Sequence, residues 1–105
     1  MINITFEPKT LELRVEGHAE HGKKGEDIVC SAISTLFYTL ATTLNESEEM
    51  LKDAPTISDE GGNGYIKCTP KEEYEKNITL MYYTILTGLD MVASTYPKNV
   101  SFTVS

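Results

Sequence analysis

The sequence predicts an α+β fold, in which an antiparallel or mixed sheet carries two helices packed on one face. Apolar and polar residues alternate near both ends of the chain, which is typical of strands with one buried face. Two longer segments repeat apolar residues every three or four positions, which is typical of amphipathic helices. Because the chain has 105 residues, the length of one ordinary domain, we expect a single domain over residues 1–105 with the element order ββαββαβ.

The first two strands are predicted to form a hairpin. Residues 2–6 and 11–16 both alternate, and a turn at Pro8 and Lys9 separates them. The alternation ends at Gly17, where a polar stretch reaching Asp27 begins. Long loops of this kind are more often functional or disordered than neutral, so this loop is the first place to look for chemistry.

The middle of the chain predicts a helix and a second hairpin. Residues 28–46 carry the first helical stripe, and Asp27 is a side chain that can cap its first turn. Residues 54–59 and 64–69 flank a glycine-rich turn and are interpreted as paired strands, with Cys68 in the second strand. The glycines of this turn match no phosphate-binding motif, so they are interpreted as turn residues.

The last two elements are a longer helix and a closing strand. Apolar residues at helical spacing predict the second helix over residues 71–96, and residues 100–104 alternate again. Tyr82, Tyr83 and Met91 extend beyond a single narrow stripe on this helix. Its surface is therefore the face that we expect to meet a partner.

Composition limits the classes of partner. The chain carries 9 Lys and Arg residues against 16 Asp and Glu residues, which gives a net charge of −7. Such a surface repels phosphate backbones, so we expect no direct nucleic-acid partner and favour a basic protein instead. The sequence contains no metal framework and no cofactor-binding motif, so we predict neither.

The chain start and the cysteines indicate the compartment. The first residues lack the basic and apolar regions of a signal peptide, and the sequence predicts no apolar run approaching the roughly 20 residues that cross a bilayer. We therefore expect a cytoplasmic protein without membrane contact. In that reducing compartment Cys30 and Cys68 are expected to stay free thiols.

Cys30 is the candidate nucleophile. In the predicted helix it lies in the first turn, just after Asp27, where unpaired N–H groups and the helix dipole stabilise an anion. A thiol in such a place can have its pKa lowered from about 8.5 to roughly 3.5–7.5 when a cation is also near. Because the Asp27 carboxylate opposes this effect, a second group is needed. His18, at the end of the second strand, can take the thiol proton and stabilise the thiolate as imidazolium.

Simpler interpretations of the same residues stay open at this point. A cysteine early in an amphipathic helix is commonly a small buried apolar residue. His18, His21 and Cys30 can supply three zinc ligands, although the sequence places no fourth ligand nearby. Ser34, one turn after Cys30, can hydrogen-bond near the sulfur or bond back to a main-chain carbonyl. Cys68 has neither a helix terminus nor a neighbouring base and is interpreted as structural.

Two sequence blocks in this region resemble a known family. Gly17-His18-Ala19 is followed, after Gly22 and Gly25, by the block Asp27-Ile28-Val29-Cys30-Ser31-Ala32-Ile33-Ser34. These blocks, at this separation, are similar to the signature of the ribosomal-processing cysteine protease family (Prp). The resemblance extends over essentially the whole chain, and only the last strand and tail give little to match.

The resemblance implies a cysteine endopeptidase with His18 as general base and Cys30 as nucleophile. Asp27 and Ser34 match motif positions and receive supporting roles, whereas His21 lies outside the pattern. Members of the family are homodimers that remove a short N-terminal extension from a large-subunit ribosomal protein, cutting after a pair of aromatic residues. Related members trim phage structural proteins. The substrate expected here is therefore a basic ribosomal protein or a phage capsid or scaffold protein.

The expected mechanism assigns roles to the main chain as well. Amides around Cys30 and Ser31 are expected to stabilise the oxyanion, and the loop with Gly17, Gly22 and Gly25 is expected to close over the peptide. Two other classes of function fit the same residues. One is a non-catalytic acidic module that clamps a basic peptide or ribosomal protein, and the other is a regulatory domain in which Cys30 senses oxidants.

Overall fold

The computed structural model describes residues 1–17 and 24–105, with the backbone alone for residues 24–27. The elements are β1 (Ile2–Glu7), β2 (Glu12–Glu16), α1 (Lys24–Asn45), β3 (Thr56–Glu60), β4 (Asn63–Lys67), α2 (Glu75–Thr95) and β5 (Val100–Val104). One turn of 3-10 helix precedes β3 at Glu48–Met50, and another precedes α2 at Glu72–Tyr74. The predicted order ββαββαβ is confirmed, and β5 has the predicted bounds.

The five strands within the described residues form one mixed sheet in the order β3-β4-β2-β1-β5. Neighbouring strands are antiparallel, except that β1 and β5 are parallel. Ile4 lies opposite Val15 on one side and Phe102 on the other, so apolar residues of adjacent strands share one face. This register is what the alternating pattern requires, because a slip of one residue would turn each apolar set toward solvent.

Both helices cover the apolar face of the sheet, as predicted. The fully buried side chains that join the sheet to the helices are Ile4, Phe6, Leu13, Val15, Ile66, Val29, Ile33, Leu40, Leu44, Ile78, Tyr82 and Leu89. They belong to one continuous core. Tyr82 is therefore a core residue, and its predicted place on a partner-facing surface is wrong; Tyr83 and Met91 do lie on the surface.

Two glycines let the layers approach closely. A Cβ atom built on Gly64 of β4 would lie 2.7 Å from the buried Phe37 ring of α1. A Cβ atom on Gly88 of α2 would lie 2.9 Å from Leu36, also on α1. Real side-chain atoms do not pack at such distances. Glycine at these two positions therefore allows α1 to pack closely against β4 on one side and against α2 on the other.

The second hairpin is shorter than its apolar pattern suggested. Gly61 and Gly62 have φ values of +58° and +82°, as a two-residue type I′ connection requires, and confirm the predicted turn. At the other end, Thr56 pairs with Lys67, and the next pair would join Pro55 to Cys68. Pro55 has no N–H to donate, so the ladder stops there. Cys68 consequently lies just beyond β4, and its predicted place inside the strand is wrong.

The first helix begins earlier than predicted. α1 starts at Lys24, so Asp27 is inside the helix and is not its N-cap, and Gly25 belongs to the helix as well as to the predicted loop. Acidic residues are favourable throughout the first turn because of the helix dipole, and an acid before an apolar stripe therefore does not locate the boundary. The N-cap assignment at Asp27 is wrong for this reason.

The expectation about apolar runs also needs correction. The uncharged window Ile28–Asn45 is long and apolar enough to cross a membrane by length and composition alone. In the fold, this window is the core-facing part of α1, and Val29, Ile33, Leu40 and Leu44 in it are fully buried against the sheet and α2. The window contains no charged residue because one face of the helix packs in the core and the other face carries uncharged Ser, Thr and Tyr residues.

Candidate active site

The end of β2 is fixed by contacts from two distant parts of the chain. The Gly17 N–H donates a hydrogen bond of 3.2 Å to Oδ1 of Asn63, the first residue of β4. Gly17 has a φ of +87°, and a Cβ atom there would lie 2.7 Å from the Met1 carbonyl oxygen. Glycine is therefore required at this position for both backbone conformation and space. The residue that follows in the chain is His18.

Cys30 lies on α1 at the margin of the core. Its side chain is half-buried and packs against the core cluster, between fully buried Val29 and exposed Ser31. The side chain of Ile28, two residues earlier, is 64% exposed. Cys30 is thus neither a fully buried filler nor a fully solvated residue, and partial exposure is typical of reactive thiols.

Cys30 and Gly17 lie toward the same end of the sheet. Phe37 of α1 packs on Gly64, which pairs with Val15 of β2. After α1 the chain reaches Lys52, whose N–H donates to the carbonyl of Thr69, just past the C-terminal end of β4. The C-terminal end of α1 therefore lies toward that end of the sheet, and its N-terminal half lies toward the opposite end, where β4 begins. Cys30 is therefore about 10 Å beyond the Phe37 layer along the helix axis. Gly17 is about 7 Å beyond Val15 in the same direction.

The position of Cys30 within α1 changes one expectation. Because α1 begins at Lys24, Cys30 is in its second turn. In a regular helix, amides in the second turn bond to carbonyls four residues earlier, and the assignment of the Cys30 and Ser31 amides as oxyanion donors stays a prediction. The dipole effect also falls off within the first turn, which leaves a neighbouring base as the main device for activating the thiol.

The remaining predicted residues divide into described and undescribed ones. Ser34 is partly buried one turn after Cys30 and lines a groove of 540 Å³ along α1 with Thr35, Tyr38, Thr39, Thr42 and Thr43. His18, His21 and Gly22 lie outside the described residues, as does the side chain of Asp27. The pairing of His18 with Cys30 and the alternative zinc site both stay predictions.

Cys68 has the structural environment predicted for it. It is buried, and the Tyr82 hydroxyl donates a hydrogen bond of 3.5 Å to its Sγ atom. Burial raises the pKa of the Cys68 thiol, which keeps it protonated near neutral pH. Neither cysteine of the chain forms a disulfide, which confirms the predicted thiol state.

A groove on the open face of the sheet ends at the residue that holds Gly17. Its volume is 530 Å³, and its lining comprises Arg14, Glu16, Ser58, Glu60, Asn63, Gly64 and Tyr65. The Arg14 guanidinium lies 4.5 Å over the Tyr65 ring, and the Tyr65 hydroxyl donates to Glu12 at 2.9 Å. Glu16 and Glu60 give the groove a negative rim beside Asn63.

The sequence did not reveal that Asn63 holds the Gly17 end of β2. Its sequence context indicates only a turn, and the amide contacts Gly17 because Val15 pairs with Gly64 and brings the strand ends together. Knowledge of the register between β2 and β4 would have predicted the hydrogen bond between Gly17 and Asn63. That register follows from the fold and not from the local sequence.

Comparisons with known proteins show the family of the chain. The family described as Cysteine protease Prp matches residues 1–101. The Ribosomal processing cysteine protease Prp of Staphylococcus aureus is 28% identical over 101 residues, covering 94% of this chain and 91% of that protein.

Solved structures share the fold. The S. aureus protease Prp with a covalently linked product peptide has a TM-score of 0.75 at 22% identity and full coverage of both chains. A Streptococcus mutans protein has a TM-score of 0.72 at 24% identity, covering 98% of this chain and 90% of that one. A family match over nearly all of the chain is sufficient for assignment: the chain belongs to the cysteine protease Prp family.

Proposed function

We propose that this protease removes the N-terminal extension of a large-subunit ribosomal protein, with Cys30 as nucleophile and His18 as general base. The observation that carries this proposal is the placement of half-buried Cys30 and the Gly17 end of β2 toward the same end of the sheet. The residue after Gly17 is the histidine of the family motif. This topology supports a role for His18 as the base that acts on the Cys30 thiol.

The reaction follows from these two groups. The His18 imidazole takes the Sγ proton of Cys30, and the thiolate attacks the scissile carbonyl carbon. The tetrahedral intermediate expels the amine, which takes the proton from the imidazolium, and a thioester forms on Cys30. Water, deprotonated by His18, then attacks the thioester and releases the carboxylate product and the thiol.

Charge supports a basic protein as substrate. The chain has a net charge of −7, and Glu16 and Glu60 border the groove that ends at Asn63. Long-range attraction to a Lys- and Arg-rich ribosomal protein raises the encounter rate and falls with added salt. A phage structural protein with a similar cleavage motif is the second substrate class.

The state of the cysteines and the family resemblance complete the proposal. Neither cysteine forms a disulfide, which suits a thiol enzyme in the reducing cytoplasm. We place the enzyme there as a homodimer that uses no metal or cofactor.

Cleavage of defined peptides tests the function. The protein is incubated under reducing conditions with a peptide that carries the extension and its first mature residues, with a phage-protein peptide, and with an extension peptide whose aromatic pair is replaced by alanines. We expect the products, identified by mass, to show one cut after the aromatic pair and no cut in the alanine control. Binding of the extension peptide without any cut would favour the non-catalytic module.

Asn63 is expected to act as a positioning residue for His18. In Asn63→Ala the Gly17 N–H loses its acceptor, the end of β2 gains freedom, and kcat should fall about 10-fold with little change in KM. Asn63→Asp keeps a side-chain oxygen and should restore most of kcat, which distinguishes positioning from a general packing role. Equal losses in both variants, or a lowered Tm that accounts for the loss, would contradict this role.

A further inference from the structure

We propose that β5 pairs with β5 of a second copy, antiparallel about a two-fold axis at Phe102, and joins two sheets into one. This inference deepens the homodimer of the proposed function by naming its surface. Among the strands that the structure describes, β5 lies at an edge, because it pairs with β1 on one side and with no described strand on the other. An edge strand presents unpaired N–H and C=O groups to any strand that can reach them.

The hydrogen bonds within the chain show which groups of β5 face outward. The Asn99 carbonyl accepts from Ile2, and the Ser105 N–H donates to Phe6, so odd-numbered residues here bond to β1. In a parallel pair, alternate residues of a strand bond to the same neighbour. The N–H and C=O groups of Phe102 and Val104, and the Val100 carbonyl, therefore point away from the sheet. The Val100 N–H already donates to Tyr96 at 3.0 Å.

These outward groups match a second copy of themselves. With the axis at Phe102, Phe102 exchanges both bonds with its own symmetry mate, as a hydrogen-bonded antiparallel pair does. The Val104 N–H then donates a hydrogen bond to the carbonyl of the partner subunit's Val100. That carbonyl points outward, whereas the N–H of the same residue is engaged within its own chain. Read in either direction, the strand Val100–Val104 is Val, a hydroxyl residue, Phe, a hydroxyl residue and Val. Each residue thus lies opposite one of its own kind.

The side chains around this edge are suited to burial. Val104 is 53% exposed, and Tyr83 of α2 is 44% exposed. With Leu86, Thr87, Asp90 and Phe102 they line a groove of 330 Å³ between α2 and β5. Among these lining residues Asp90 alone is charged. In the proposed dimer, the two α2 helices face each other across the axis above this groove.

Charge distinguishes the two edges of the sheet. The opposite edge, β3, ends in Asp59 and Glu60, and charges of this kind protect an edge from pairing. β5 carries no charge, proline or bulge in a chain whose net charge is −7. A protein this acidic repels its own copies over most of its surface, so an uncharged, self-matching edge is the place where two copies can meet.

Cysteine cross-linking tests the register directly. In a Cys30→Ala, Cys68→Ala background, Phe102→Cys places two thiols opposite each other, where hydrogen-bonded Cα atoms are about 5.5 Å apart and within disulfide reach. Ser101→Cys is the matched control, because its side chain points to the other face of the sheet and lies opposite the partner subunit's Thr103. We expect a mild oxidant to give a covalent dimer of the Phe102→Cys protein and to leave the Ser101→Cys protein largely monomeric on a denaturing gel.

Sedimentation of the unmodified protein completes the test. We expect twice the chain mass of 11.7 kDa, and we expect Phe102→Lys to shift the protein to monomer, since like charges directly opposite each other are destabilising. Equal cross-linking of both cysteine variants, cross-linking of neither, or a monomeric unmodified protein would overturn the interface. Because the cross-linking background lacks the nucleophile, this outcome is independent of peptide cleavage.

Discussion

Cys30→Ser should lower the rate of extension cleavage by about 10⁴-fold or more, because an alcohol in place of the thiolate removes the nucleophile of the proposed reaction. The change replaces one atom of a half-buried side chain, so the fold and the unfolding temperature should remain close to those of the unmodified protein. Steady-state cleavage of the extension peptide, with quantification of products by mass, measures the loss.

The matched control is the same change at the other cysteine. Cys68→Ser leaves a hydroxyl that can still accept the hydrogen bond from Tyr82, and Cys68 is buried away from the site. We expect this variant to retain cleavage within about 3-fold, with at most about 1–3 kcal/mol lost from the free energy of unfolding. Substantial cleavage by folded Cys30→Ser would refute the assignment of the nucleophile, whatever the control shows.

His18→Ala should lower cleavage by about 10²- to 10⁴-fold, the range expected for loss of a general acid and base. It should also change the reactivity of Cys30 toward an alkylating reagent. An imidazolium beside a thiolate lowers the thiol pKa, so the unmodified protein should be alkylated at pH values well below about 8.5. Without His18, the midpoint of the alkylation profile should move up toward that ordinary value.

Alkylation reports on Cys30 selectively because of where the second thiol lies. Burial raises the pKa of Cys68, so its reactive form is scarce near neutral pH. His21→Ala is the control, since His21 lies outside the family motif and should leave both cleavage and alkylation unchanged. An alkylation midpoint that is the same in all three proteins would argue against a His18–Cys30 pair.

Local pattern predicted most of the fold. The alternation in β1 and β5, the apolar stripes of both helices and the two glycines of the β3–β4 turn each impose a structure on their own segment, and each is confirmed. What the pattern could not supply was the pairing between segments. That β5 adds to β1 in parallel is decided by the crossover through α2 and the shared core, and neither has a signal in the five residues of β5.

The site was predictable to a smaller extent. Cys30 stood out through its helix and its motif, but the start of α1 was misplaced because acidic residues favour every position of a first turn. That error placed Cys30 in the first turn of the helix, whereas it lies in the second turn. Asn63 was missed because the hydrogen bond that joins it to Gly17 spans 46 positions of the chain.

The Met1 carbonyl fills the space that a Cβ atom on Gly17 would need, and this has a practical consequence for making the protein. Any sequence fused ahead of Met1 leaves the fold beside the strand end that leads to His18. If His18 and Cys30 act as proposed, an affinity tag at that position would compete for the space that a substrate peptide needs, and a tag resembling an extension would be presented to Cys30 as an intramolecular substrate. Recombinant protein for kinetics should therefore begin at Met1, with any purification handle removed from that end.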